Sequence, residues 1–187
     1  MSEAAGAPHE STEEKVLVEA VQSGNEEAFA ILVRRYQKRL QGILSSWVGR
    51  GQGIEDLVQE TFVKVFRHIR SFRGESQFST WIYRIAVNTA RDHLKKEIRR
   101  EKHRAAAEAA LPEEGADLSE RHTSRMDLER AMGRLPEDQR LSLLLVVRDG
   151  FSHREAAEIQ ACSVGTVSWR IHEARERLRK ILKGDSL

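Results

Sequence analysis

Apolar residues recur along most of the chain at spacings of three and four, the repeat of a helix with one buried face. No useful stretch alternates with the period of a strand, so the fold is predicted to be all-α. A first helix is expected from Ser11 to Gln22, with Val16, Leu17, Ala20 and Val21 as its apolar face and Glu14 placed for a capping box. Ser23-Gly24-Asn25 breaks it. A second helix carries Phe29, Ile31, Leu32, Val33, Tyr36, Leu40, Ile43, Leu44 and Trp47, and Gly49, Gly51 and Gly53 mark the loop after it. A third runs from about Ile54 to Ile69 on Val58, Phe62, Val65, Phe66 and Ile69. After a loop centred on Gly74, a fourth helix starts near Ser79 or Thr80 and carries Trp81, Ile82, Ile85, Ala86 and Ala90.

The pattern then fades. Residues 97–127 hold little apolar material, and Pro112 and Gly115 interrupt them, so they read as a flexible linker with a helical start. Residues 1–11 are small and polar and read as a disordered tail. This leaves two small helical domains, 12–96 and 128–187. In the second, Pro136 opens a helix built on Leu141, Leu144, Leu145 and Val147, and Gly150 closes it. Ser152 and Glu155 form a capping box for a short helix buried through Ala156, Ala157 and Ile159. Ser163 is placed to cap a longer helix with the stripe Val164, Val167, Ile171, Ala174 and Leu178, and Gly165 is expected to permit close backbone approach. Two helices on a short turn, the second longer and basic, fit a helix-turn-helix whose outward residues are Thr166, Ser168, Trp169, Arg170, His172 and Glu173. An αα-hairpin within a bundle has the same stripe; the outward Arg170, Arg175, Arg177 and Arg179 favour DNA.

Composition narrows the class. The chain has 187 residues, a net charge of +2 and one cysteine, Cys162, which excludes an internal disulfide and a multi-cysteine zinc site and fits a reducing cytoplasm. The first ten residues carry no secretory pattern, and no apolar run is long enough to insert in a membrane. The small net charge hides two basic tracts, 84–104 and the last helix, separated by an acidic stretch, an arrangement suited to two contacts with a polyanion. None of the seven histidines pairs with another ligand at metal-binding spacing. No phosphate loop, triad or carboxylate pair is present, so no cofactor, metal or catalytic activity is expected.

At these residues the chain resembles the extracytoplasmic-function (ECF) group of RNA polymerase sigma factors. Leu135-Pro136, Leu141 to Val147, Glu155 to Ile159 and Val164-Gly165-Thr166-Val167 resemble the family's C-terminal domain, region 4. DLVQETFVKVFRHI, Asp56 to Ile69, resembles the polymerase-binding helix of region 2, and FRGESQFSTWIYRIAVNTARDHLKK, Phe72 to Lys96, the promoter-melting segment. The resemblance implies a monomeric initiation factor, bound to the nucleoid through polymerase and held inactive by an anti-sigma factor. It implies that Asp56, Leu57, Gln59, Glu60, Val63 and Lys64 dock on the clamp coiled coil of the largest polymerase subunit, with Leu57 and Val63 partly exposed, and that region 4 meets the flap. Phe72, Gln77, Phe78, Ser79, Thr80, Trp81, Tyr83, Arg84, Asn88, Arg91 and Lys95 would capture and melt the −10 element, where unstacked bases need aromatic faces, polar edges and a basic track. Phe78 and Trp81 fit a packed core equally well. Thr166, Ser168, Trp169, Arg170, His172, Glu173, Arg175 and Arg177 would read the −35 element. Ser168 and Glu173 stand where relatives often carry basic residues, and Trp169 replaces a small one, departures expected to change the preferred sequence. Two other classes remain: a helix-turn-helix regulator that binds its operator without polymerase, and a helical adaptor with no DNA role.

Overall fold

A computed structural model describes residues 12–49, 53–107 and 124–183. The expected N-terminal tail, the middle of the expected linker (108–123) and the last four residues lie outside this set. The described residues are helical with short turns: α1 (Thr12–Gln22), α2 (Glu26–Val48), α3 (Ile54–His68), α4 (Phe78–Ala107), α5 (Ser124–Gly133), α6 (Glu137–Leu143), α7 (His153–Gln160) and α8 (Val164–Lys183). A 3₁₀ turn, Ile69–Ser71, extends α3, and a π turn, Leu144–Arg148, extends α6.

The first four helices pack around Tyr36, Leu40, Ile43, Leu44, Trp47, Val65 and Phe78, all essentially inaccessible to water. Asn25 caps α2 by accepting from the Ala28 N–H at 3.0 Å. Glu14, expected to cap α1, instead lies buried inside the module, where the Tyr36 hydroxyl donates to it at 2.8 Å and Arg35 pairs with it at 3.5 Å. A carboxylate taken from water needs such donors more than a solvated helix end does. Burial, then the neighbouring Glu14, pushes the Tyr36 phenol well above its usual range.

The second module gathers Leu135, Leu141, Leu145, Phe151, Ile159, Val167, Ile171 and Ala174. Pro136 stands at the N-cap of α6, and Gly150, with φ 77°, follows the π turn as expected of a residue past a helix end. The expected linker is helical at both sides of its undescribed centre: α4 continues to Ala107 and α5 begins at Ser124. The two modules pack together, α7 lying along α4 and the end of α6 meeting α2.

Candidate nucleic-acid interface

The outer face of α3 exposes Asp56, Gln59, Glu60 and Val63, while Val58, Phe62 and Val65 hold the helix to the core. Glu60 pairs with Lys64 at 2.9 Å, a hydrogen bond that holds its carboxyl below the usual range. Lys64 also reaches the Thr89 hydroxyl at 3.1 Å. Leu57 departs from expectation: it is only 2% exposed, on the buried stripe beside Val58. The apolar surface of this face comes instead from Val63 and from Phe66, which is 50% exposed although its ring leans on Phe29.

Beyond the 3₁₀ turn the chain forms an aromatic cluster. Phe72 lies 5.7 Å from Phe78 and 5.1 Å from Trp81 between ring centres, and Phe78 lies 5.6 Å from Tyr36. Phe78, Ser79, Thr80, Trp81 and Tyr83 are buried, and Gln77 is half-buried. Phe78 is thus a core side chain here; a first-turn position on a helix that crosses α2 places it inward. Phe72, Trp81 and Arg84 line a cavity of about 550 Å³ with Ser71, Arg73, Glu75 and Ser76 from the Gly74 loop and Glu158 from α7. The loop residues carry no periodicity, so their gathering was not readable from the pattern. Arg84, Asn88, Arg91 and Lys95 follow at spacings of four, three and four and therefore share one face of α4. Arg84, Asn88 and Lys95 are exposed.

Residues α7 to α8 have helix-turn-helix geometry. The Ser152 hydroxyl accepts from the Glu155 N–H at 3.2 Å while Glu155 accepts from the Ser152 N–H at 2.8 Å, completing the expected capping box. Ser163 accepts from the Thr166 N–H at 3.0 Å and so caps α8. Gly165 does not mediate a close crossing: a Cβ there would meet only the Ser163 hydroxyl, at 3.8 Å. The tight conformation is at Ala161, whose φ of 55° lies in the left-handed region. On the outer face of α8, Ser168, Trp169, His172 and Arg175 are exposed, and Thr166, Glu173 and Arg177 are half-buried. Ser168 meets His153 Nδ1 at 2.9 Å, which ties α8 to the start of α7. Arg170, expected outward, is turned in: its guanidinium lies 2.5 Å from Asp138 and 3.1 Å from the Gln160 side chain. The buried carboxamide and half-exposed carboxylate offer a cation better partners than the outer face does.

An exposed basic and polar face on one module, beside a cavity walled by Phe72 and Trp81, and a helix-turn-helix on the other define a two-module helical protein of the nucleic-acid-binding class. Comparison with known proteins sharpens this. The family model for sigma-70 region 2 matches residues 32–100, and that for sigma-70 region 4 matches residues 125–178. The chain is 42% identical over 180 residues to the ECF RNA polymerase sigma-E factor of Haemophilus influenzae, covering 90% of this chain and 95% of that one. It is equally similar to the sigma-E factor of Escherichia coli K12, with 94% of that protein covered. Among solved structures it resembles CnrH in complex with the cytosolic domain of CnrY (TM-score 0.67, 28% identity, 92% of this chain and 98% of that one). It also resembles the sigma factor RpoE bound to the anti-sigma factor NepR from Bartonella quintana (TM-score 0.66, 27% identity, 84% and 98%). The chain belongs to the ECF family of RNA polymerase sigma factors, transcription initiation factors rather than enzymes. No described helix is long and apolar enough to cross a membrane.

Proposed function

We propose that this sigma factor works in the cytoplasm, where it binds core RNA polymerase through the outer face of α3 and delivers it to promoters read at two elements. The observation that carries this reading is the division of labour within the first module. An exposed acid-and-amide face on α3 stands beside an aromatic cluster, a cavity and the basic track of α4. Asp56, Gln59 and Glu60 suit pairing with basic residues on the clamp coiled coil, and Val63 adds the apolar contact that such interfaces need. Arg84, Asn88, Arg91 and Lys95 would follow the phosphates of a −10 strand, and Phe72, Trp81 and Arg84 would surround an unstacked base. The C-terminal module would place Thr166, Ser168, Trp169, His172 and Glu173 against −35 base edges, with Arg175 and Arg177 on phosphates, and would meet the polymerase flap.

Control by an anti-sigma factor is supported by the two neighbours above, one recorded with a cytosolic partner domain and one with an anti-sigma factor. Run-off transcription with core polymerase on a genomic promoter library, with and without the chain, tests the whole reading. New start sites sharing two spaced elements are expected; none would overturn it. A regulator independent of polymerase would instead protect DNA alone.

A further inference from the structure

The longer helix of the helix-turn-helix, α8, is held from its inner side by a polar cluster. Arg170 sits in the second turn of α8 with a side chain only 16% exposed. Its Nη2 donates to Asp138 Oδ2 on α6 at 2.5 Å, and its Nη1 donates to Gln160 Oε1 at the end of α7 at 3.1 Å. The same Nη1 lies 3.6 Å from Cys162 Sγ in the turn. Gln160 is itself fixed. It is 3% exposed, accepts from the buried Ser142 hydroxyl at 2.9 Å and donates to the Ala156 carbonyl at 3.2 Å. At the other end of α7, His153 Nδ1 meets Ser168 Oγ at 2.9 Å. The eight residues of α7 are therefore tied to α8 at both ends.

We propose that Arg170 is a positioning residue for −35 recognition: acting through Gln160 and Asp138, it fixes the roll of α8 and so the aim of Thr166 and Glu173, without touching DNA itself. This rests on the function proposed above. Thr166 and Glu173 lie four residues before and three after Arg170, so they share its flank of the helix. The side chains that α7 and α8 bury are small or aliphatic: Ala156, Ala157, Ile159, Val167, Ile171 and Ala174. Apolar contact of that kind is non-directional, so it resists separation of the helices better than it resists rolling. A roll of α8 by about 10° carries an atom about 6 Å from the axis through about 1 Å, enough to break a hydrogen bond to a base edge. Directional bonds stop that motion. The planar fork of an arginine reaches acceptors on two elements at once, which the point charge of a lysine does not. The Gln160 carboxamide uses its oxygen and its nitrogen together, so it offers the fork a fixed seat. Asp138 also meets Arg91 of α4, whereas among the described residues the Gln160 side chain bonds only within its own module, which makes Gln160 the place to test the brace.

The test uses polymerase reconstituted with the full chain, on a promoter found in the run-off screen with its −35 element randomised. Gln160→Met keeps the size of a buried side chain and removes its acceptor; Arg170→Met keeps the stem and removes the fork. Each is expected to lower transcription from the parent promoter about tenfold, the cost of about one mismatched base pair, and to relax the preference at several −35 positions together. The double variant should do no worse than the more damaging single one, since both break the same brace. Affinity for core polymerase should not change. If Gln160→Met transcribes and selects as the wild type does while Arg170→Met does not, Arg170 acts on DNA directly and the proposal is wrong. It is equally wrong if both variants lower the yield but leave the −35 preference intact, for that is a loss of stability alone. Should Gln160→Met not fold, Ser142→Ala frees the same carboxamide without altering it and must relax the preference in the same way. In each of these cases the sigma function stands. If the wild type directs polymerase to no start sites, the function itself fails and the inference falls with it.

Discussion

At the scale of single residues, the first module depends on a polar pair in its interior. Glu14 is 3% exposed and Tyr36 is fully buried, with the phenol donating to the carboxylate. Because burial and Glu14 hold the Tyr36 phenol well above its ordinary range, it stays a donor wherever the fold survives. Tyr36→Phe removes that donor while keeping the ring and should cost about 1–3 kcal/mol, read as a lowered urea midpoint at unchanged slope. On the outer face of α8, Ser168 and Glu173 are the residues proposed to set the −35 preference, Ser168 also meeting His153. Replacing both by arginine should change the preferred −35 sequence in a selection experiment while leaving polymerase affinity unaltered; an unchanged preference would remove them from the reading face. Arg170 belongs to neither group, because it braces Asp138 and Gln160 from within.

At the scale of elements, α3 has one face buried in the core and one exposed, the face proposed to meet polymerase. Asp56→Arg with Glu60→Arg alters only exposed positions, and losing the Glu60–Lys64 pair should lower stability by no more than about 1 kcal/mol. Core binding should weaken by at least about tenfold in a fluorescence titration, since the change sets like charges against the proposed basic partner. In the turn between α7 and α8, Ala161 adopts a conformation that glycine accepts without steric cost. Ala161→Gly should therefore stabilise the C-terminal module by about 0.5–1 kcal/mol, visible as a raised urea midpoint. The helices α7 and α8 were legible in the sequence because caps and stripes are local: Ser152 with Glu155, and Ser163, act within three residues of themselves. Glu14 misled for the complementary reason. Its three-residue spacing fits a cap, but its partner, Tyr36, lies on the next helix.

At the scale of the whole molecule, the packing of α7 on α4 joins partly exposed ion pairs to one edge-to-face aromatic contact. The ionic part is screened as salt rises, since the Debye length falls from about 10 Å at 0.1 M to about 3 Å at 1 M. Small-angle scattering of the free chain should therefore show a larger radius of gyration in high salt. Arg148→Ala, which removes the contacts to the Gly42 carbonyl and the Ser46 hydroxyl, should already be expanded at low salt, and equal dimensions for both chains under all conditions would show that ionic contacts do not hold the modules together.

The sequence by itself determined the helical periodicity, the capping box of α7, the helix-turn-helix and the two modules with their family resemblance. These follow from residues near one another along the chain, and from motifs whose order survives without knowledge of packing. It left open which apolar residues were core and which were surface, so Leu57 and Phe66 exchanged the exposure expected of them. Only the tertiary structure decided that Arg170 turns inward and that Phe151 meets Tyr83. It alone placed Asp138 and Gln160 against Arg91 of α4, and Glu158 in the cavity wall with Arg84. Those contacts join residues dozens of positions apart on different helices. No local rule of spacing, propensity or charge carries that information; the meeting of two complete surfaces does.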